Sequence, residues 1–151
     1  MPLTLEIITP ERRVYKGTAD AVVLTTSEGE IGVLPGHIPL VTQVRAGDLR
    51  LTNPGPNTAL PATHPDAGKP GPTHLAVDIG FARVLGDTVS VLTEAAIDVR
   101  VIDEAAAAEA QARAEKALAA ARESKLDPAE IERLESIARF AIVQQLIKKR
   151  H

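Results

Sequence analysis

Half of the 22 residues from 103 to 124, eleven of them, are alanine, and no other stretch of the chain has that character. Alanine loses no side-chain entropy in a helix and buries no polar group, so this segment is predicted to be helical. Leu118 is its one large aliphatic residue. Glu109 stands four positions before Arg113, the order that favours an ion pair along a helix. Asp127-Pro128-Ala129-Glu130 then supplies an N-cap, a proline at the first helical position and an acidic first turn. Ile131, Leu134, Ile137, Ala138, Ala141, Ile142 and Leu146 recur at spacings of three and four, which predicts a second helix with one apolar face. The pair reads as an antiparallel hairpin over 101–151. An alanine face buries little area, at about 0.8 kcal/mol per CH₂-sized group. The hairpin is therefore expected to be robust as helix and weakly held as a packed object, as an element that changes position requires. A permanently docked hairpin, its small residues allowing close approach, explains the same composition equally well.

Before residue 100 the period is two. Leu3, Leu5 and Ile7 alternate with Thr4 and Glu6, and apolar runs recur at 13–16, 21–24, 30–34, 40–44, 48–52, 75–85 and 88–92. Glycines at 17, 29, 36, 47 and 86 fall between these runs, where turns use them. Short strands at such intervals argue for a sandwich or barrel rather than βαβ units. Residues 53–74 interrupt the rhythm with six of the chain's eleven prolines and three glycines. That composition denies both ladder donors and helix continuity, so the segment is read as a long, mobile insertion loop with its ends close together. The division is an N-terminal β domain, 1–100, and a C-terminal helical domain, 101–151.

Several chemistries are excluded. A formal charge of −3 and three aromatics in 151 residues leave little with which to bind a phosphate backbone or stack bases, so nucleic acid is not an expected partner. There is no cysteine, hence no disulfide framework, thiolate metal site or thiol nucleophile. The histidines at 37, 64, 74 and 151 have no metal-ligand spacing, and no metal site is expected. Phosphate-binding glycine loops and a GxSxG elbow are both missing. The only Gly-Lys, at 68 and 69, is followed by proline. No secretory leader pattern or run of apolar residues long enough to span a bilayer is present. His37 stands alone: a base needs an orienting acid and a nucleophile, and only Glu28 and Glu30 are near in sequence. It is read as a turn histidine capping backbone groups, or as an interface contact. No catalytic residues are assigned.

Residues 28–41, Glu28-Gly29-Glu30-Ile31-Gly32-Val33-Leu34-Pro35-Gly36-His37-Ile38-Pro39-Leu40-Val41, follow Pro10-Glu11-Arg12 and Val14-Tyr15-Lys16-Gly17. Together these resemble the N-terminal domain of the epsilon subunit of bacterial F-type ATP synthase. Gly47-Asp48-Leu49-Arg50, Gly80-Phe81, Glu94-Ala95-Ala96 and the alanine-rich hairpin continue the resemblance. It covers nearly the whole chain except 53–74, where the family usually has a short turn. The resemblance implies an α+β, two-domain fold: an all-β sandwich followed by an antiparallel two-helix hairpin. It implies a non-catalytic rotor subunit of the central stalk, coupling the gamma subunit to the c-ring during proton-driven ATP synthesis. Such a subunit is peripheral on the cytoplasmic face of the bacterial plasma membrane, held there only through the c-ring.

By the same resemblance, Glu30 and His37 lie at the sandwich end that meets gamma and the c-ring, where a histidine would lend mild pH sensitivity. The hairpin is a brake on ATP hydrolysis: folded on the sandwich it permits turnover, and extended it reaches the alpha/beta catalytic head. Arg122, Arg133 and Arg139, with Lys148, Lys149 and Arg150, are then candidates for inhibitory contacts with acidic segments of the head, or else a solvated charged face. Some family members bind ATP through Ile-Asp-x-x-Arg-Ala and a later arginine. Ile102, Asp103 and Arg113 match, but Ala106 stands in place of the motif's arginine. Losing a charge-assisted phosphate contact worth about 1.5–3 kcal/mol predicts weak or absent ATP binding and no cofactor. A free-standing ligand sensor, its hairpin closing over a small molecule, is the competing reading.

Overall fold

The computed structural model describes residues 2–124 and 127–150; His151 lies outside them. The strands are β1 (Leu3–Ile8), β2 (Arg13–Ala19), β3 (Ala21–Thr26), β4 (Gly29–Val33), β5 (Leu40–Val44), β6 (Gly47–Thr52), β7 (His74–Val77), β8 (Gly80–Leu85), β9 (Thr88–Thr93) and β10 (Ala96–Asp98). A 3-10 turn (Val99–Val101) leads into α1 (Glu104–Glu123) and α2 (Pro128–Arg150). The pairing order is β10-β7-β6-β3-β5-β8-β9-β1-β2, with β4 on β3. Only Thr26↔Val44 joins β3 to β5, so the path folds over there into two layers: β10-β7-β6-β3-β4 and β5-β8-β9-β1-β2.

Period-two alternation decides which face is which. Leu3, Leu5 and Ile7 of β1, Val89 and Val91 of β9 and Leu24, Leu49 and Leu75 from the other layer are buried in one core. Their neighbours Thr4, Glu6 and Ser90 point outward. The β-sandwich and the two C-terminal helices are therefore as the sequence predicts.

Two details differ from the sequence reading. The run 75–85, read as one strand, is split at Asp78 and Ile79, where the chain crosses from one layer to the other. The Thr93 hydroxyl lies 2.8–3.2 Å from the carbonyl oxygens of Asp78, Ile79 and Ala95, which fixes this crossover. Gly80 is required beside it, since a Cβ there would meet Leu92 O at 1.9 Å.

The second detail is the insertion. Residues 53–74, read as mobile, are tied along the open edge of β2. The Asn57 side chain accepts from Lys16 N (3.1 Å) and donates to Val14 O (3.0 Å), Thr58 N donates to Lys16 O (2.7 Å) and Gly55 N to Thr18 O (2.7 Å). The loop thus satisfies edge groups that otherwise template strand pairing. Tyr15 OH donates to Gly55 O (3.1 Å) and is almost wholly buried there; burial pushes its phenol upward, partly offset by the Arg100 charge. Its ends do meet, through Arg50↔His74.

The helices begin as their caps dictate: Asp103 accepts from Ala105 N and Ala106 N, and Asp127 from Ala129 N. Ala114, Leu118 and Ala138 are buried between the helices, with Ile131 and Leu134 against them. No ion pair joins Glu109 to Arg113 among the described residues; Gln111 instead bonds Glu115, at 2.9 Å, and Gln145 of α2, at 2.7 Å.

Candidate functional site

The two outer faces of the sandwich differ in kind. The outer side of β10-β7-β6 is covered by α2: Ile147 is buried with Ala76, Val99 and Ile102, while Ile97, Phe140 and Val143 pack around them. Lys148 Nζ donates to Val99 O (3.1 Å) and Arg139 Nε to Asp78 Oδ1 (2.9 Å). The docking face is thus on α2 rather than on the alanine helix. The alanine face does not set how weakly the hairpin is held, contrary to the expectation from composition: the buried alanines lie between the helices, and larger side chains of α2 meet the sandwich. The seat is still small. Three partly or wholly covered α2 side chains contribute about 1.5–3 kcal/mol each at most, before the ordering cost.

The outer side of β5-β8-β9-β1 is uncovered. Cross-strand partners share a face, so the registers Gln43↔Phe81↔Leu92↔Ile8 and Val41↔Arg83↔Ser90↔Glu6 place these side chains together outside the core. Phe81, Leu92 and Val41 are 54%, 51% and 70% exposed. Ile8, Pro10, Ile79, Phe81 and Leu92 line a groove of about 680 Å³, with Arg45 and Glu94 among its polar residues. At the far end of β8, exposed Leu85 adjoins the His37 turn, where Leu34 and Ile38 are also exposed. Large apolar side chains exposed together around a groove mark a candidate binding surface.

The His37 turn is built by its sequence. Pro35 presets φ, Gly36 takes φ +85, and His37 N closes onto Leu34 O at 3.1 Å, the arrangement of a type II turn. Gly36 N donates to Asp87 Oδ1 (3.2 Å), seating the turn against the β8–β9 corner. His37 Nδ1 lies 2.7 Å from Ile38 O, so the ring does cap a backbone carbonyl, and among the described residues no carboxylate is bonded to it.

Glu30 is elsewhere. It is the second residue of β4, which ends at Val33, while His37 lies in the turn beyond that end, so three residues of strand, roughly 10 Å, lie between Glu30 and the start of the turn. The two do not form one patch. Glu30 pairs with Arg50, and both border a cavity of about 280 Å³ whose other wall is Val143, Leu146 and Arg150 of α2. Glu30 therefore belongs to the covered side of the sandwich, beside the end of α2.

The other candidate residues are dispersed. Ile102 is buried beneath α2, Asp103 is the N-cap of α1, and Arg113 is exposed about 15 Å further along the helix axis. Arg122 pairs with Glu135 (3.2 Å), Arg133 with Glu130 (2.6 Å) and Arg139 with Asp78. The Arg133 guanidinium holds the Glu130 carboxyl below its ordinary range. Exposed pairs of this kind contribute little, so Arg122 and Arg133 exchange partners at small cost. Asp78, which faces Arg139, was not singled out from the sequence, although a lone aspartate inside Leu75-Ala76-Val77-Asp78-Ile79-Gly80-Phe81 was a legible irregularity. Among the described residues there is no cluster of three metal-ligating side chains, and no helix is long and apolar enough to cross a membrane.

Residues 2–99 match the family described as "ATP synthase, Delta/Epsilon chain, beta-sandwich domain". The ATP synthase epsilon chain 2 of Ralstonia nicotianae is 37% identical over 153 aligned positions, covering 99% of both chains. The ATP synthase epsilon chain of Brevibacillus brevis is 37% identical over 116 positions and 77% of each chain. A chain in the mitochondrial ATP synthase OSCP/F1/c-ring assembly of Euglena gracilis shares the fold, with TM-score 0.60 and 23% identity over 99% of this chain and 82% of that one. A sandwich with one bare apolar face and one helix-covered face, matched over nearly its full length by epsilon chains, belongs to the epsilon subunit family of ATP synthase.

Proposed function

We propose that this chain is a non-catalytic rotor subunit: its sandwich couples the gamma subunit to the c-ring, and its C-terminal hairpin restrains ATP hydrolysis when it leaves the sandwich. The observation that carries the reading is the contrast between the two outer faces. On one face Phe81 and Leu92 are direct cross-strand partners and stay exposed, with exposed Val41 on the neighbouring row, the kind of large apolar side chain that anchors an interface core. Gamma is the partner assigned to it, with the His37 turn extending the contact towards the c-ring. Glu30, on the other side, is assigned a separate contact beside α2.

The hairpin is suited to a brake because its helices hold each other through Ala114, Leu118 and Ala138, so it leaves the sandwich as a helical unit. Arg122, Arg133 and Arg139 then become available to acidic segments of the alpha/beta head, and the chain reaches the membrane only through the c-ring, on the cytoplasmic face of the bacterial plasma membrane. The dispersed positions of Asp103 and Arg113 support a hairpin without an ATP site.

Co-purification with gamma and the c-ring tests the coupling role. The native chain should be retained, and Phe81→Asp combined with Leu92→Asp should abolish retention while the sandwich stays folded, since both side chains lie outside the core. A chain that never associates with gamma, or a double variant that associates normally, would refute it.

A further inference from the structure

We infer that Asp78 and Arg139 form the latch that holds the hairpin on the sandwich, and that its strength comes from an asymmetry in burial between the two partners. The inference rests on the reading of the hairpin as a movable element. Asp78 is 2% exposed, whereas the Arg139 side chain keeps 36% of its surface in contact with solvent. The carboxylate is fixed from the sandwich side: Asp78 N donates to Ala95 O (2.9 Å), Ile79 N donates to Asp78 Oδ1 (2.8 Å), and the Thr93 hydroxyl braces the carbonyl of Asp78. On the hairpin side, Arg139 Nη2 donates to Ser136 Oγ (3.0 Å), which aims Nε at Oδ1.

Among the described residues, Phe140, Val143 and Ile147 add apolar contact with the sandwich, and Lys148 adds a bond to a backbone carbonyl. Apolar contact is non-directional and tolerates sliding of α2 along its seat. A charge-assisted hydrogen bond fixes a register. The bond is also reversible in a way that a sealed core is not. When α2 leaves, the carboxylate beneath Arg139 regains water, and the guanidinium, already partly solvated, completes its hydration.

The asymmetry sets the order in which variants act. Removing Arg139 leaves a buried, uncompensated carboxylate in the docked state and a hydrated one in the undocked state, so docking is penalised beyond the loss of one contact. Neutralising Asp78 leaves a guanidinium that is already partly solvated, which costs less. Arg139→Met should therefore shift the docked-to-undocked ratio by roughly a hundredfold, Asp78→Asn by roughly tenfold, and the double variant should return close to the Asp78→Asn value.

The chain has no cysteine, so spin labels at Thr88→Cys and Ala119→Cys report the distance between sandwich and hairpin without background. Distances would be read on the full chain, in the native sequence and in Ile147→Ala, where the undocked form is more populated. Hydrogen exchange of β1 and β9 confirms that the sandwich remains folded; Arg139 lies on α2, so its variant decides the matter even if Asp78→Asn disturbs the crossover. The inference is overturned if Arg139→Met leaves the distances unchanged, or if the two substitutions act equally and additively. Hydrolysis by the reconstituted complex is a separate readout. A shifted hairpin with unaltered hydrolysis sustains the latch and refutes the brake, whereas an unshifted hairpin refutes the latch whatever hydrolysis does.

Discussion

Ile147→Ala separates the docking of the hairpin from the folding of the sandwich. Ile147 is buried against Ala76, Val99 and Ile102 and contacts none of the inner residues of the β core. The substitution removes three carbon atoms, a transfer loss of about 2.4 kcal/mol at 0.8 kcal/mol each. Core truncations of this kind cost about 2–5 kcal/mol, with the upper part of the range coming from cavities that do not close. A helix resting on an outer sheet face is free to settle, so the lower part applies, about 2–3 kcal/mol. That shifts the docked-to-undocked ratio about 30-fold to 150-fold. Spin-label distances between Thr88→Cys and Ala119→Cys should broaden, with the melting of the sandwich almost unchanged. Leu49→Ala, inside the sandwich, is the control and should lower the melting temperature without favouring an undocked hairpin. If Ile147→Ala instead lowers the stability of the whole chain in one cooperative transition, the hairpin is part of the sandwich's folding unit and the reasoning fails.

Other outcomes follow from the same geometry. Asn57→Ala leaves Lys16 N and Val14 O of β2 without their partners; it should cost about 1–3 kcal/mol and increase hydrogen exchange along β2, read by mass spectrometry. Gly80→Ala places a methyl group 1.9 Å from Leu92 O and should abolish folding of the sandwich, read by circular dichroism. Tyr15 is the only tyrosine and there is no tryptophan, so tyrosinate absorbance titrates it alone. Its phenol is raised by burial, so the folded state retains the proton longer than the unfolded one, and stability should fall as pH rises through the ordinary phenol value near 10. Tyr15→Phe should remove that alkaline loss. Titration calorimetry with ATP should show no low-micromolar binding, because Asp103 caps α1 and Ala106 replaces the arginine of the family motif.

What the sequence revealed, and what it did not, follows from the range of the interactions. Strand alternation in Leu3-Thr4-Leu5-Glu6-Ile7 and the cap-plus-proline start at Asp127-Pro128 are local signals, and both elements stand where those signals put them. Proline content in 53–74 correctly denied regular structure. It was silent on the long-range bonds of Asn57 and Gly55 to β2, made across some forty residues of sequence. The alanine helix was legible as a helix, but its orientation was not: which helix meets the sandwich depends on Phe140, Val143 and Ile147 finding Ala76 and Ile97. Glu30 and His37 are close in sequence and stand at opposite ends of one short strand, a separation that proximity in sequence conceals. Asp78 was overlooked because its partner lies 61 positions away.

The central claim, a sandwich that couples and a hairpin that restrains, is tested most directly by ATP hydrolysis in the assembled complex carrying either the full chain or the chain without residues 103–151. Faster hydrolysis with the truncated chain, while gamma and the c-ring remain associated, is the expected result. Equal hydrolysis with both chains, in complexes of equal composition, would contradict the restraining role of the hairpin.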